Sequence, residues 1–344
     1  MKKILIIRFS SIGDIVLTTP VVRCLKQQLG AEIHFLTKQS FQAVVAANPH
    51  IDRLYTIKKK VSEVLPQLKA EKYDYIIDLH KNLRTLLVKL QVPGKSYAFN
   101  KLNWEKWLMV RLKINRLPPT HIVDRYLATA APLGITNDGQ GLDYFIPKEE
   151  EVNLEENTKT QNPTSILQLR TAFKKHKAYI AFVIGAAHNT KRLPIDKMIA
   201  LCRNINMPIV LLGGPDETEE GTQIARESGP HVINSCGQLK LNQSASLVRQ
   251  AHKVISHDTG LMHIAAAFRK EIITIWGNTI PEFGMYPYLP QDEKGSLFEV
   301  KNLDCRPCSK IGYQTCPKGH FRCMRDLEDG AIVAAVTQSD NKVS

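Results

Sequence analysis

The stretch Val254-Ile255-Ser256-His257-Asp258-Thr259-Gly260-Leu261-Met262-His263-Ile264-Ala265-Ala266-Ala267 decides the fold, because it reads as a β-strand turning sharply into a helix of small residues. Gly260 permits the tight turn, and Ala265, Ala266 and Ala267 let the helix lie close on its sheet. Backbone N–H groups of Thr259, Gly260 and the residues after them would point outward at the helix start, an arrangement suited to a diphosphate. Thr259 and His263 stand four apart and share one side of the first turn. A histidine on a helix is commonly a packed structural residue. Directly after Asp258-Thr259-Gly260 in a strand-to-helix junction, the weight moves towards ligand binding.

The same punctuation extends in both directions. Downstream, 271–275 is a strand that leaves into Trp276-Gly277-Asn278-Thr279. Upstream, strands at 178–184 (AYIAFVI) and 208–213 (PIVLLG) alternate with helices at 194–205, 216–227 and 243–251. Nearer the N-terminus, 3–9 (KILIIRF), 32–37, 53–57 and 74–79 are short β-type runs, with helical stretches such as 15–28 and 61–70 between them. Near-continuous apolar strands with helical crossovers indicate parallel sheets covered on both faces. Between Pro147 and Lys177 the pattern dissolves into acidic, polar and basic runs, which marks a domain boundary. The expectation is an α/β protein of two Rossmann-like, doubly wound domains, 1–160 and 161–344, facing across a cleft at the carboxyl ends of their strands.

A length of 344 residues exceeds one comfortable core, in keeping with two domains. Hydrophobic content of 43% with 23% charged residues excludes a disordered or fibrous chain. The net charge of +13 favours an anionic partner: nucleic acid, anionic lipid or a phosphorylated small molecule. Only the short apolar run Ile4 to Ile7 separates Lys3 from Arg8, too little for a signal peptide or membrane span, so a cytoplasmic protein is expected. Cys24, Cys202 and Cys236 read as small buried hydrophobes.

The first strand leaves into Arg8-Phe9-Ser10-Ser11-Ile12-Gly13-Asp14. Asp14 lies near a helix N-terminus, where a carboxylate is favoured. It reads either as a helix cap or, at the mouth of the cleft, as a general base that takes a proton from an attacking hydroxyl. In the loop from Gly185 to Pro194, Lys191 or Arg192 could balance phosphate charge. The strand 208–213 ends in Gly213-Gly214-Pro215-Asp216-Glu217, where an acidic side chain could accept hydrogen bonds from ribose hydroxyls.

Four segments, in this order and spacing, make the chain resemble glycosyltransferase family nine, the bacterial ADP-heptose:lipopolysaccharide heptosyltransferases. They are Ser10-Ser11-Ile12-Gly13-Asp14, Lys191-Arg192-Leu193-Pro194, Leu212-Gly213-Gly214-Pro215-Asp216-Glu217 and the run from Asp258 to Ala267. The resemblance spans both domains and implies a GT-B fold with the donor held mainly by the second. It implies an inverting transfer of heptose from ADP-heptose to a lipid-linked lipopolysaccharide inner-core acceptor. By the same resemblance Asp14 is the catalytic base, Thr259, Gly260 and His263 meet the diphosphate beside Asp258, Lys191 meets donor phosphate, and Glu217 meets the ribose. No cofactor is expected in catalysis, since a helix dipole and basic residues can stabilise the leaving nucleotide. Asp78-Leu79-His80-Lys81-Asn82-Leu83-Arg84 resembles the acceptor-side segment. Arg8, Ser10, Ser11, Lys81 and Arg84 are thus the acceptor-binding candidates.

Cys305, Cys308, Cys316 and Cys323, with His320 among them, cluster near the C-terminus. In a cytosolic protein such clustering suggests a structural zinc on the four thiols, with free thiols or an iron–sulfur cluster as alternatives. Residues 101–116 (KLNWEKWLMVRLKINR) are basic and bear two tryptophans. They read either as a contact with an anionic membrane, at the cytoplasmic face of the inner membrane, or as an amphipathic helix packed on its sheet. Another GT-B transferase or an epimerase using a different sugar nucleotide is the alternative within enzymes. A zinc-ribbon nucleic-acid binder leaves the phosphate-type turns unexplained, so no nucleic acid is expected as a partner.

Overall fold

The computed structural model describes residues 1–155, 163–290 and 295–338. In the first half, β1 (Lys3–Ile7), β2 (Glu32–Lys38), β3 (Arg53–Ile57), β4 (Tyr75–Asp78) and β5 (Lys95–Ala98) form a parallel sheet in the order β3-β2-β1-β4-β5. Its helices are α1 (Ile12–Val16), α2 (Thr19–Leu29), α3 (Leu65–Ala70), α4 (Leu83–Gln91), α5 (Asn103–Leu112) and α6 (Ile122–Ala130). In the second half α7 (Thr164–His176) precedes β6 (Ile180–Val183), β7 (Ile209–Leu212), β8 (Val232–Asn234), β9 (Lys253–His257), β10 (Glu271–Trp276) and β11 (Gly295–Glu299). These run parallel in the order β11-β10-β9-β6-β7-β8. The remaining helices are α8 (Ile195–Arg203), α9 (Thr218–Ser228), α10 (Leu241–Gln250), α11 (Gly260–Ala267), α12 (Arg322–Arg325) and α13 (Asp329–Thr337). Both orders are those of a doubly wound sheet, and the winding reverses between β1 and β4 in one sheet and between β6 and β9 in the other.

Burial explains the central strands. Ile4, Leu5, Ile6 and Ile7 of β1 are all fully buried, each worth roughly 1.5–3 kcal/mol relative to exposure. The expected central strands are all present, whereas β5 (KSYA), β8 (VIN) and β11 (GSLFE) were not foreseen. All three are edge strands, where one side lacks a neighbour and the apolar run that marks a central strand is not required. The helical stretch at 15–28 is broken into α1 and α2, with Pro20 in the first turn of α2. The region from Pro147 to Lys177 is less irregular than expected. It contains α7, whose last turn carries Lys174, Lys175 and His176, cations that complement the helix C-terminus.

The expected boundary at 160/161 lies outside the described residues. Before it, the chain is fastened to both halves. Arg23 on α2, 2% exposed, holds Asp138 through Nε at 2.7 Å, the Gly141 carbonyl through Nη2 at 2.8 Å, and Asp143. Farther on, the Tyr144 hydroxyl donates to Asn242 at 2.6 Å, and the Val152 amide donates to Ser246 at 3.0 Å, both on α10. One apolar cluster runs from Ile4 and Ile15 of the first half to Met262, Ile264 and Trp276 of the second.

Candidate active site

The loop after β1 is built around Arg8. This largely buried guanidinium bonds the Ser10 carbonyl through Nε (2.7 Å), and the Leu79 carbonyl (2.6 Å) and Tyr126 hydroxyl (2.9 Å) through Nη1. Its Nη2 lies 2.7 Å from Asp14 Oδ1. The other carboxylate oxygen of Asp14 accepts from the Ser11 hydroxyl at 2.9 Å and the Ser11 amide at 3.2 Å. Burial alone would push the Asp14 carboxyl up, but Arg8 and the Ser11 donors hold it below the ordinary carboxylate value. Asp14 is therefore ionised at neutral pH. The carboxylate caps α1 in the loop that follows β1, at the winding reversal where a general base was expected.

Facing it is α11. A Cβ on Gly13 would lie 2.5 Å from His263 Cδ2, and one on Gly260 would lie 2.8 Å from Ile12 Cγ2, so the starts of α1 and α11 touch through two glycines. Thr259 is the N-cap residue of α11, and its side chain makes no capping bond. The first-turn N–H groups therefore face the junction without a side-chain acceptor. His263 is 2% exposed; burial pushes its imidazole down to about 4, so the ring is neutral and Nδ1 is buried without a partner. Lys191, after β6, lies 2.5 Å from Asp258 Oδ2, which also accepts from the Thr279 hydroxyl at 3.0 Å. Asp258 thus serves as the holder of Lys191. The amide of Asn278 in the neighbouring loop is buried without a partner at either atom.

Other expected residues are placed differently. Glu217, 8% exposed, accepts from the Gly214 amide at 2.8 Å and lies 3.6 Å from Arg192 Nη1, so it closes the turn after β7. A Cβ on Gly185 would fall 2.9 Å from this carboxylate, which places Glu217 over the ends of β6 and β7. Lys81 and Arg84 are exposed at the start of α4. Asp78 tethers that loop, accepting from the His80 and Lys81 amides at 3.1 and 2.6 Å and pairing with Lys89 at 2.9 Å. Sequence reasoning missed Tyr126 and Arg125 on α6, which no local motif marks. It noted Lys101 and Lys106 only for their charge.

The cysteines gather but do not close into a ligand shell. Cys305 Sγ lies 3.8 Å from His320 Nε2, Cys323 is buried, and burial pushes its thiol up to about 12. Among the described residues, the set of three donor side chains that converges within 4.8 Å is instead Glu32, His34 and Glu71. These are already met by Lys3, which lies 2.7 Å from Glu71 and 3.4 Å from Glu32, so cationic charge is in place without an ion. A concavity of about 720 Å³ beside β3, lined by Arg53, Tyr55 and Glu71 among others, uses none of the groups at the α1–α11 junction.

The model for glycosyltransferase family 9 (heptosyltransferase) matches residues 61–314. The chain belongs to glycosyltransferase family 9. Lipopolysaccharide heptosyltransferase 3 of Escherichia coli K12 is 26% identical over 285 residues, covering 78% of this chain and 80% of that relative. A glycosyl transferase family 9 structure from Veillonella parvula superposes with a TM-score of 0.74 at 22% identity, covering 97% of this chain and 96% of its own. The E. coli heptosyltransferase WaaC, solved with ADP, gives a TM-score of 0.63 at 20% identity, covering 86% and 93%. The fold of this glycosyltransferase is accordingly GT-B. A carboxylate at the end of one sheet and a helix N-terminus at the end of the other are the two groups that a displacement at a sugar phosphate requires.

Proposed function

We propose that this glycosyltransferase moves heptose from ADP-heptose to a lipopolysaccharide inner-core acceptor with inversion. The observation that carries the proposal is the contact of α1 with α11, which sets the ionised Asp14 beside the uncapped start of a helix flanked by Lys191. An acceptor hydroxyl gives its proton to Asp14 as its oxygen attacks the anomeric carbon. The bond from that carbon to the diphosphate oxygen breaks on the opposite face, and its electron pair leaves with ADP. First-turn amides of α11, Thr259 and Lys191 stabilise the developing charge, while the neutral His263 can donate one hydrogen bond. Relatives named as lipopolysaccharide heptosyltransferases, and a family structure solved with ADP, support this choice of donor and acceptor.

Calorimetric titration with ADP, UDP and GDP tests the reading. Preferential ADP binding, followed by heptose transfer to heptose-deficient lipopolysaccharide, is expected. Preference for UDP or GDP moves the function to another sugar, and binding of none of them overturns it.

We place the enzyme at the cytoplasmic face of the inner membrane. Among the described residues no helix is long and apolar enough to cross a membrane. On helix α5, Trp104 and Trp107 stack at 5.0 Å while 64% and 46% exposed. Tryptophans amid the exposed Arg111 and Arg116 suit an anionic lipid surface. Cosedimentation with phosphatidylglycerol vesicles, abolished by Trp104→Glu with Trp107→Glu, checks this, and undiminished binding removes α5 from the contact. A structural zinc at Cys305, Cys308, Cys316 and Cys323 is proposed on donor chemistry alone. Elemental analysis of the purified protein, with Cys308→Ser as control, decides it.

A further inference from the structure

The cysteine-rich loop is part of the second half of the chain yet is fastened to both halves. On its own side, Arg306 donates to the carbonyls of Gly277, Val300 and Thr279, and the loop meets the donor side through Thr190 and Tyr313. The Thr190 amide donates to the Tyr313 carbonyl at 3.1 Å, and the Tyr313 amide donates to the Thr190 hydroxyl at 2.8 Å. Gly312, with φ of +120°, passes so close that a Cβ would lie 2.6 Å from His188 Cβ. On the other side, Lys113, which follows α5, donates to the carbonyls of Cys305 at 3.3 Å and Pro307 at 2.6 Å. Between these anchors the Ser309 hydroxyl oxygen accepts from the Ile311 and Gly312 amides at 3.0 and 2.9 Å. The resulting turn carries Lys310, exposed, at its crest.

Lys310 joins a group of cations in the first domain. It acts electrostatically on both Lys101 and Lys106, as Arg125 does on Lys106 and Arg8 on Lys101. Burial first, and then Arg125, bring the Lys106 ammonium down to about 8. Arg125 donates through Nη2 to the Phe283 carbonyl at 3.0 Å, but its Nε and Nη1 are buried with no partner. Lys106 Nζ stands 5.9 Å from the centre of the Phe283 ring, so both cations border the same residue. Among the described residues, none of Lys101, Lys106, Arg125 and Lys310 has a carboxylate within ion-pair distance. Of the three carboxylates in electrostatic range, Asp14 and Asp78 are already held by Arg8 and Lys89, and Glu105, which acts on Arg125, is outside ion-pair distance of all four cations. Four cations with unused donors, outnumbering the single carboxylate among them that is not already held, fit an anion beside the catalytic carboxylate.

We propose that Lys310, delivered by the cysteine-rich loop, completes with Lys101, Lys106 and Arg125 a cross-domain subsite for an acidic group of the acceptor. The ligand is a phosphate or a sugar carboxylate, bound next to the attacking hydroxyl. This rests on the acceptor lying against the first domain, as proposed above. It moves acceptor recognition from Lys81 and Arg84 to residues far apart in sequence.

The test compares wild type, Lys310→Arg and Lys310→Glu in transfer from ADP-heptose to heptose-deficient lipopolysaccharide. Charge reversal is expected to raise the acceptor KM by about tenfold or more, leaving the donor KM and ADP affinity in place, while the arginine variant behaves as wild type. Repeating the series on acceptor stripped of phosphate separates the sources. A KM effect that disappears identifies a phosphate, and one that persists identifies the carboxylate. An unaltered acceptor KM in Lys310→Glu overturns the subsite. If wild type itself transfers nothing, the heptosyltransferase reading fails separately. Calorimetric titration with inorganic phosphate and with acetate then reads the subsite: binding lost in Lys310→Glu supports it, and equal binding or none overturns it.

Discussion

Both carboxylate oxygens of Asp14 have partners within its own domain, Arg8 on one and Ser11 on the other. To act as a base it must exchange one of them for the acceptor hydroxyl. Ser11 is exposed whereas Arg8 is locked by three further hydrogen bonds, so the Ser11 side is the one that opens. Asp14→Asn keeps the shape and the cap but cannot take the proton. Transfer should fall by about 10²–10⁴-fold with ADP affinity little changed. Steady-state kinetics with calorimetry checks this, and near-normal turnover would remove Asp14 from the chemistry. The residues that the sequence offered as site candidates, Asp14, Lys191, Thr259 and His263, all sit in short runs between a strand and the helix after it. Arg125 and Lys106 carry no such mark. Their place in the proposed subsite rests on charge left without an ion pair after folding, which spacing along the chain does not reveal.

At the scale of elements, the meeting of α1 and α11 depends on two residues without side chains. Gly260→Ala would set a Cβ 2.8 and 2.9 Å from Ile12 Cγ2 and Cβ. Overpacking of this kind costs about 1–3 kcal/mol, and it displaces α11 from Asp14. Urea unfolding should show the loss and kinetics a lowered kcat, with Ile12→Ala in the same chain recovering much of both. Wild-type stability in the single variant would mean that the helices separate freely. The sequence marked α11 clearly, because small residues after a Gly turn serve both the helix and its approach. It hid α7, whose polar and basic surface resembles a linker until the buried Ile166 and Leu169 are seen on one face. It also hid three of the four edge strands, β5, β8 and β11, which need no apolar run.

For the molecule as a whole, five histidines held neutral by burial, His34, His80, His121, His257 and His263, make stability depend on pH. His121 and His257 are pushed by burial down to about 3, and His263 to about 4. His121 uses both ring nitrogens, with the Tyr286 carbonyl at 2.8 Å and the Val123 amide at 3.1 Å, while His257 Nε2 accepts from the Leu193 amide at 3.0 Å. In the unfolded chain a histidine titrates near 6.5, so between about 6.5 and each folded value, about 4 for His263 and about 3 for His121 and His257, the unfolded state binds protons that the folded state refuses. Stability should be full above that window and fall as pH drops through it, by up to about 1.4 kcal/mol per pH unit for each histidine. Denaturant titrations from pH 7.5 to 4.5 would show it, and a flat profile would mean that the folded rings titrate near the unfolded value after all.

The loop from Cys305 to Tyr313 touches Thr190, next in sequence to Lys191, and is also held by Lys113 of the opposite domain. A nucleotide that shifts Lys191 therefore acts on a segment the acceptor domain also grips. Coupling of this kind is a property of the pair of binding equilibria and has no direction. Whatever factor a bound donor adds to acceptor affinity, a bound acceptor must return to the donor. An acceptor mimic that binds more tightly once ADP is in place would then raise the affinity for ADP by the same factor.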